Sequence, residues 1–491
     1  MTIIAVLDIG STSTKGLLID GNGIVIATES AAYATSSPQP TWMEQNPDDW
    51  WKATVRLLRS LSAHALPDAI GLTGSMQNLI ALDRSGRPVR PAILYSDTRA
   101  APEEDPSDAV AAIVGNRLDP FMPIAKISWL RRHEPEVFHQ TGLVLSCAKD
   151  YISLRLTGIP ACDATAATTV GLMDLARRTW SAALLERFDL AESLFPPIID
   201  ADAVIGGITP AAAAEVGLPV GIPVVNGCGD AGSTSIGAGA DTPGDAVVYL
   251  GTSGWIAVNG GNYDPGRPSG VYTLAHPTTS GVIDIASLLT AGDAVAWIRD
   301  LLRRRSDGAA WPDADIAAEL ERTAPDGTAV PLFLPYLGGE RSPFVDTAVR
   351  GAFLGLDRHT TPPALIQSVL EGVAFAIRHN MESLPDGTPE ATEIGVMRLV
   401  GGGAASTVWP QIIADTCNRS IDVVDTPVGA TAFGACRLAA AALGIADPFR
   451  SRAPITARFA PSPKRREAAN RRYEAFLKAT SCARAIAPLL R

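Results

Sequence analysis

Cysteine is scarce in this chain. Its 491 residues include six scattered cysteines, and none forms a Cys-x-x-Cys pair or lies near a histidine at the spacing of metal ligands. These spacings exclude the disulfide framework of a small secreted domain and a zinc-binding module. We expect reduced, mostly buried thiols, which are typical of a cytoplasmic protein.

Long apolar runs and an excess of positive charge are also missing. No run reaches about 18 apolar residues, the length of a membrane-spanning helix, and Met1 leads into a strand-like segment without the features of a signal peptide. The 41 Lys and Arg are outnumbered by 52 Asp and Glu, which gives a net charge of −11. We therefore expect a cytoplasmic protein that acts on a small ligand and binds neither membranes nor nucleic acid.

Apolar residues make up 46% of the chain and charged residues 19%, as in globular proteins. A chain of 491 residues is too long for one ordinary core, so two large domains are expected. The composition shifts to Gly, Ala and Asp around residues 237–245. We therefore predict domains at residues 1–242 and 243–491.

One carboxylate lies among small residues in the stretch from Ile222 to Gly239. An apolar segment there predicts a buried strand that ends near Asn226, glycines follow it, and small residues from Ala231 onward predict a helix. Asp230 should then lie at a strand-to-helix junction, which is where open α/β sheets bind ligands. A tight turn with a solvated Asp230 is the plainer alternative.

The same stretch fits the Gly-x-Gly-x-x-Gly fingerprint of dinucleotide-binding proteins from Gly227 to Gly232. That fingerprint also requires an acidic residue about 20 positions later, at the end of the next strand. The next predicted strand, Ala246 to Leu250, is followed by Gly-Thr-Ser instead. A dinucleotide site is therefore not predicted.

Each predicted half opens with an apolar strand, a turn rich in hydroxyl groups and a second apolar strand. Amides, hydroxyls and a lysine at such turns suit phosphate oxygens, although neither turn matches a Walker loop. The repetition indicates a duplicated domain with one phosphate-binding hairpin in each copy. The candidate phosphate ligands are Ser11, Thr12, Thr14, Lys15, Thr252 and Ser253.

Polar or glycine-rich residues follow two further predicted strands. Ala69 to Gly74 predicts a strand whose end, residues 75–78, can contact a polar substrate or can be a solvated turn. Arg398 to Val400 predicts a strand followed by three glycines, which allow a nucleobase or ribose to lie against the backbone. The Thr- and Ala-rich residues 165–175 are expected to form a loop.

Ordered motifs along the whole chain resemble those of the FGGY carbohydrate kinases, and within them the xylulokinases. These motifs are Asp8 to Lys15, Trp42 to Trp50, Lys149-Asp150-Tyr151, Gly229-Asp230, Leu250 to Ser253, Pro335 to Arg341 and Gly401 to Asp415. The resemblance implies an α/β fold of two duplicated actin-like, ribonuclease H-like ATPase domains with a catalytic cleft between them.

The resemblance also implies site residues, with ATP and Mg²⁺ as cofactors. Asp230 would be the catalytic base and would also contact the substrate and the metal, while Asp8 would help to hold the metal. The two hairpins would face the ATP phosphates. The remaining nucleotide-binding candidates are Gly292, Gly402, Gly403 and Ala404.

The predicted sugar-contacting strand end departs from the xylulokinase pattern. Xylulokinases usually show Gly-Gln-Met-His-Gly there, whereas residues 74–78 of this chain are Gly-Ser-Met-Gln-Asn. Met76 is retained, and Gln77 replaces a histidine with a group that cannot carry charge. Glycerol kinases carry an Arg-Glu pair at this place, so glycerol is disfavoured. The expected substrate is D-xylulose, and gluconate, ribulose or another sugar, polyol or sugar acid is the alternative.

Two other functional classes stay open on the sequence. A sugar- or nucleotide-sensing protein could keep the fold and lose the chemistry, but the presence of both Asp8 and Asp230 argues against it. An actin-like assembly protein would share the paired hairpins and would not need a sugar-contacting strand end. The sequence leaves the oligomeric state open, with a homodimer as one option.

Overall fold

The computed structural model describes residues 2–100, 108–265, 271–303, 330–384, 394–425, 429–445 and 453–490. Two large mixed sheets organise these residues, one of six strands and one of seven. Each sheet lies within one of the two predicted halves of the chain, and helices pack on the faces of both sheets.

The first sheet has the order β11-β12-β5-β1-β2-β3. Strand β1 pairs antiparallel with β2 and parallel with β5, and β5 pairs parallel with β12. The strands of this half are β1 Ile3–Ile9, β2 Ser13–Asp20, β3 Val25–Ala32, β4 Glu44–Gln45, β5 Ala69–Gly74, β6 Ile80–Leu82, β7 Ala92–Ile93, β8 Leu143–Leu145, β9 Met173–Asp174, β10 Thr179–Trp180, β11 Val204–Gly207 and β12 Pro223–Gly229. The near-continuous apolar sequences of β1 and β5 are explained by burial of both faces.

The second sheet, with the order β15-β16-β14-β13-β19-β20-β21, repeats this plan. Strand β13 pairs antiparallel with β14 and parallel with β19, which pairs parallel with β20. The strands are β13 Ala246–Leu250, β14 Gly254–Asn262, β15 Tyr272–Ala275, β16 Gly281–Leu288, β17 Leu332–Leu334, β18 Ala352–Leu354, β19 Val396–Val400, β20 Ser420–Val424 and β21 Ile455–Phe459. The predicted duplication is therefore confirmed at the level of strand order and direction.

The helices begin and end in ways that the sequence explains. Helix α1 starts after Asn46, whose side chain caps the amide of Asp48, with Pro47 in its first turn. The α-helices are α1 Pro47–Ser62, α2 Asp108–Val114, α3 Pro123–His133, α4 Pro135–Gln140, α5 Ala148–Thr157, α6 Ala164–Thr168, α7 Ala182–Arg187, α8 Pro210–Val216, α9 Asp230–Gly237, α10 Gly292–Arg303, α11 Pro362–Glu382, α12 Trp409–Cys417, α13 Ala430–Ala442 and α14 Arg466–Ile486. Short 3₁₀ helices span Glu192–Leu194, Gly402–Ala405 and Ala487–Leu490.

Helix α13 joins the two halves, because it packs on the first sheet although it lies between β20 and β21 of the second sheet in sequence. A Cβ atom on Gly71 of β5 would lie 2.9 Å from the carbonyl oxygen of Ala435. Helices α9 and α13 also touch backbone to backbone, since a Cβ on Gly434 would lie 1.8 Å from the carbonyl oxygen of Ser233. The division at residues 242 and 243 stays a prediction, and α13 is a contact across it.

The expectation that residues 165–175 form a loop is wrong. They contain most of α6 and all of β9. The side chain of Asp163 caps the amide of Ala166 at a distance of 3.0 Å, so the helix has an N-terminal cap that composition alone does not reveal. The hydroxyls of Thr165 and Thr168 bond the carbonyl and the amide of Ala275 in β15, which ties α6 to the second sheet.

In the part of the chain that the structure describes, no helix combines the length and the apolar character needed to cross a membrane.

Candidate active site

Asp230 lies directly after β12 as the first residue of α9, so the predicted strand-to-helix junction is confirmed. The pairing of β12 with β5 shifts register between Val225 and Cys228. Within this bulge Gly227 has φ of 66°, and a Cβ there would lie 1.7 Å from the carbonyl oxygen of Leu72. Only glycine fits this close approach, and the bulge sets the direction in which Asp230 leaves the sheet.

Asp8 and Asp230 form an electrostatically coupled pair of half-buried carboxylates. Burial raises the pKa of Asp230 to about 7, and the negative charge of Asp8 raises it further. Burial also raises the pKa of Asp8 to about 6, and the charge of Lys15, its partner across the β1–β2 hairpin, opposes that increase. The structure therefore brings the two predicted carboxylates to one site and makes their ionisation unfavourable there.

Two carboxylates are a suitable donor set for Mg²⁺. This ion commonly binds one or two carboxylates and completes its octahedron with water and substrate phosphates. In the described ranges no group of three or more His, Cys, Asp and Glu side chains could hold a metal ion. Asp8 and Asp230 thus fit a metal that arrives with a phosphate ligand, and the repulsion between them would be relieved by a cation.

The raised pKa of Asp230 predicts an effect of Asp230→Asn on stability. The folded-state pKa lies above the ordinary value of 3.8, so ionisation of Asp230 lowers the free energy of unfolding as the pH rises from about 4 through 7. The asparagine variant avoids this penalty. Without metal or nucleotide it should be more stable than the wild type at pH 8 by about 1–2 kcal/mol, a value reduced for the partial exposure of the carboxylate.

Thermal unfolding of both proteins between pH 4.5 and 8 measures this effect. The difference in Tm should shrink towards the acidic end, where the wild-type carboxylate is protonated. A difference that is constant with pH would show that Asp230 is not destabilised by its charge.

The two predicted phosphate hairpins both end in exposed turns. A hydrogen bond of 3.1 Å from the amide of Gly10 to the carbonyl of Ser13 closes the first, and one of 2.9 Å from Gly251 to Ser253 closes the second. Both turns are thus held by backbone bonds, which leaves their side chains free to meet a ligand. The exposed predicted ligands are Thr12, Lys15, Thr252 and Ser253, and Ser11 is half-buried.

Three predicted nucleotide-binding residues lie behind the exposed turns of the two hairpins. Thr14 is fully buried in β2, and Ala404 is 5% exposed in the core of the second half. The amide of Gly292, at the start of α10, donates to the carbonyl oxygen of Gly251 at 2.9 Å, and that of Ala404 donates to Gly401 at 3.1 Å. These residues support the hairpins and the glycine turn, and direct contact of their side chains with a ligand stays a prediction.

The glycine turn after β19 has an open surface at Gly402. No atom lies within 4 Å of the place where a Cβ on Gly402 would be, so a flat group can approach the backbone there. Gly403 faces inward, because its Cβ would lie 2.7 Å from Leu250 and 2.9 Å from Trp409. Gly402 thus offers the accessible backbone, and Gly403 allows the turn to pack on β13.

The strand end at residues 75–78 is a fixed structure, and the alternative of a solvated turn is wrong. Asn78 is fully buried, and its side chain donates to the carbonyl of Ser75 at 2.9 Å and accepts from the amide of Tyr95 at 3.1 Å. Gln77 has φ of 61°, which is unusual for a residue with a side chain. The buried ammonium of Lys126 donates to the Gln77 carbonyl at 2.7 Å and holds this conformation.

The predicted sugar contacts lie beside Asp230. The sulfur of Met76 packs on Gly229, since a Cβ on that glycine would lie 2.0 Å from it. Gln77 follows, and its side-chain oxygen accepts from Arg341 at 3.4 Å. Met76 therefore packs against the residue that precedes Asp230, and Arg341 of the second half reaches the adjacent Gln77.

Arg341, Asp119 and Lys126 were missed as site residues by sequence reasoning. Arg341 stood within the Pro335-to-Arg341 motif, but nothing local showed which side chain it would contact. Asp119 lies before α3 and Lys126 lies within it, and a lysine among the apolar residues of α3 was an available signal. These three charged groups surround the Gln77 end of the candidate site.

A second missed cluster lies behind β12. The ammonium of Lys149 is fully buried and contacts Asp150 at 2.7 Å, Asp163 at 3.1 Å and the side-chain oxygen of Asn226 at 3.2 Å. Asn226 belongs to the β12 bulge and also donates to the carbonyl of Ile199. The cluster thus holds the β12 bulge, the segment that precedes Asp230, in place.

Comparison with known proteins identifies the family. The N-terminal domain of the FGGY family of carbohydrate kinases matches residues 3–237, and the C-terminal domain of that family matches residues 246–443. The xylulose kinase of Escherichia coli (strain K12) is 33% identical over 497 aligned residues, which cover 96% of this chain and 98% of that protein. A gluconokinase of Bacillus licheniformis is 28% identical over 90% of this chain and 88% of its own length.

The fold agrees with this family over the whole length. The crystal structure of xylulose kinase from Rhodospirillum rubrum superposes with a TM-score of 0.88 at 31% identity, and the match covers 99% of each chain. The predicted two-domain, actin-like ATPase fold is confirmed by this match and by the two family domains. The chain therefore belongs to the FGGY family of carbohydrate kinases.

Proposed function

We propose that this chain transfers the γ-phosphate of ATP to the terminal hydroxyl of D-xylulose. The observation that carries the proposal is the position of Asp230, which starts α9 beside Asp8 and follows Gly229, against which Met76 packs. One carboxylate thus borders both the phosphate hairpin of β1 and the sugar-contacting strand end. A kinase needs this arrangement, because the accepting hydroxyl has to lie close both to the transferred phosphate and to the carboxylate that removes its proton.

Asp230 is suited to remove the proton from the accepting hydroxyl. Its pKa of about 7 lies close to neutral pH, where a general base combines a useful ionised fraction with proton affinity. The carboxylate oxygen Oδ1 accepts from the amide of Ala231 at 2.9 Å, which fixes the orientation of the group. Proton removal by such a base typically contributes about 10²–10⁴-fold to the rate.

The nucleotide would be held by the exposed hairpin residues and by the backbone at Gly402. Lys15 would supply a positive charge to the phosphates, and the hydroxyls of Thr12, Thr252 and Ser253 would donate hydrogen bonds. Asp8 and Asp230 would hold Mg²⁺. That ion would supply the positive charge that offsets the negative charge developing on the phosphate during transfer.

Exclusion of water from the site would depend on the contact of the two halves. Arg341 reaches from the second half to Gln77 and Asp119 of the first, and β15 is bonded by side chains of α6. These contacts would keep the sugar end closed while the hairpins admit the nucleotide. A closed site strengthens electrostatic interactions and limits hydrolysis of ATP by water.

D-xylulose is favoured as the sugar by the similar xylulose kinases, which cover nearly the whole chain at 33% and 31% identity. Gluconate is the second candidate, because a gluconokinase is also similar at 28% identity. Gln77 does not separate them, since its side chain can both donate and accept hydrogen bonds. The enzyme would act as a monomer or as the homodimer left open by the sequence.

The release of ADP with a panel of acceptors tests this proposal. The panel contains D-xylulose, D-ribulose, D-gluconate, xylitol and glycerol, with ATP and Mg²⁺ in excess. We expect the largest kcat/KM with D-xylulose. A larger kcat/KM with D-gluconate would make D-gluconate the substrate in place of D-xylulose. If no acceptor raises ADP release above the rate without acceptor, the assignment as a kinase for these compounds is contradicted.

A further inference from the structure

Arg341 is a desolvated cation whose hydrogen bonds are incomplete. Its guanidinium lies 4.4 Å from the ring centre of Phe121 and 4.4 Å from that of Tyr272, and its side chain is only 14% exposed. The two aromatic rings fix the plane of the group and remove water from its faces. The edge of the guanidinium is left as the place where an acceptor can bind.

The contacts along that edge are few and long. One terminal nitrogen, Nη2, is 3.4 Å from the side-chain oxygen of Gln77 and 3.5 Å from a carboxylate oxygen of Asp119. The buried Nε has no hydrogen-bond partner among the described residues. A guanidinium carries five N–H donors, and a buried donor without an acceptor is energetically unfavourable. This arginine therefore has capacity for a further acceptor.

The protein does not let Arg341 turn away from this position. The neighbouring Glu340 accepts from the backbone amides of Arg341 at 2.8 Å and of Leu289 at 3.1 Å, which ties the turn to the segment before α10. The other oxygen of Asp119 is occupied by the amides of Phe121 and Met122. The backbone at Arg341 and the carboxylate of Asp119 are thus held in place, and the bonds that hold them do not use the N–H donors of the guanidinium.

The site that contains Arg341 is continuous with the catalytic carboxylate. Met76 touches Gly229, which precedes Asp230, and the next residue, Gln77, contacts Arg341. The path from Asp230 to Arg341 therefore runs through Gly229, Met76 and Gln77.

The two ends offer different groups to a ligand. Asp8 and Asp230 supply carboxylates at one end, while Arg341 and the buried Lys126 supply N–H donors at the other, beside the carboxylate of Asp119. A substrate that bridges them needs a hydroxyl at the end with Asp8 and Asp230, where phosphate is received. At the other end it needs oxygens that accept hydrogen bonds.

We propose that Arg341 binds an sp² oxygen of the substrate, at the end opposite to the hydroxyl that is phosphorylated. A ketose carbonyl and an aldonate carboxylate both provide such an oxygen, and a polyol does not. A carbonyl or carboxylate oxygen only accepts hydrogen bonds and lies in a plane that matches the guanidinium fork. Arg341 would thus select ketoses and sugar acids against polyols. This inference rests on the proposed function and specifies the substrate class of the same site.

Binding of D-xylulose and xylitol tests the inference, because xylitol has a hydroxyl where D-xylulose has its carbonyl. Titration calorimetry of the full chain with a non-hydrolysable ATP analogue gives both Kd values without turnover. The wild type should prefer D-xylulose by about tenfold or more. Arg341→Met should bring the ratio of the two Kd values close to one, and Arg341→Lys should leave an intermediate ratio, since lysine keeps the charge but not the fork.

Arg471→Met is the matched control, since Arg471 is exposed on α14 and pairs with Glu467 of the same helix. It should keep the wild-type ratio. An unchanged ratio in both Arg341 variants would overturn the inference. If Arg341→Met does not fold, Arg341→Lys decides in the same way. D-gluconate as a third ligand shows whether the sp² oxygen that binds is that of a ketose carbonyl or that of an aldonate carboxylate. Failure of the wild type to bind any of the three would instead contradict the proposed function.

Discussion

Asp230→Asn is expected to lower kcat by about 10²–10⁴-fold while the protein still folds and binds ATP. Asparagine keeps the size of the side chain and its bond to the amide of Ala231, but it cannot take the proton of the accepting hydroxyl. The loss should appear in kcat more than in the KM for sugar, because proton transfer matters in the transition state. Steady-state kinetics with saturating ATP and Mg²⁺ measure both parameters.

Asp189→Asn is a suitable control for this substitution. The Asp189 side chain is 97% exposed, and its left-handed backbone is one that asparagine also tolerates. This variant should keep the wild-type kcat. Full activity in purified Asp230→Asn would remove Asp230 from the role of base, and the transferred proton would then have to go to another group.

Lys149→Met is expected to have the largest effect on stability. The substitution leaves Asp150 and Asp163 as buried carboxylates without their shared cation, and breaking a buried ion pair from one side typically lowers the free energy of unfolding by about 3–5 kcal/mol. Asn226 also loses a partner, so the β12 bulge should loosen and kcat should fall. Denaturant unfolding followed by tryptophan fluorescence measures the stability.

The pH dependence separates this mechanism from a simple loss of packing. Burial raises the pKa of Asp150 to about 6, and Lys149 opposes that increase. Without Lys149 the Asp150 carboxylate should stay protonated to higher pH, so the loss of stability should be smaller at pH 5 than at pH 8. The double variant Lys149→Met, Asp150→Asn should recover part of the lost stability. A single variant as stable as the wild type at pH 8 would contradict the proposed importance of the cluster.

The sequence predicted the features that depend on neighbouring residues. Asp230 was placed at its junction because an apolar strand, a glycine bulge and a helix of small residues follow each other directly in the chain. The duplicated hairpins were predicted for the same reason, since each is a strand, a short turn and a strand. Local patterns of this kind determine the backbone strongly, because burial of both strand faces requires a continuous apolar sequence.

The contacts between distant residues could not be predicted from one sequence. The bond between Arg341 and Gln77 spans 264 positions, and nothing near either residue indicates the other. The position of α13 on the first sheet depends on close contacts at Gly71 and Gly434, which look like ordinary glycines in the sequence. Long-range contacts of this type define the proposed sugar end of the site, and for that reason the sequence left the substrate class open.

The product formed from D-xylulose tests the central claim most directly. The wild type is incubated with ATP, Mg²⁺ and D-xylulose, and the product is followed by ³¹P and ¹H NMR, with Asp230→Asn as the parallel sample. We expect one new phosphate monoester, on the terminal hydroxyl of the sugar at C5, and almost none in the variant over the same time. Release of inorganic phosphate without a sugar ester, or an ester formed equally well by Asp230→Asn, would contradict the central claim.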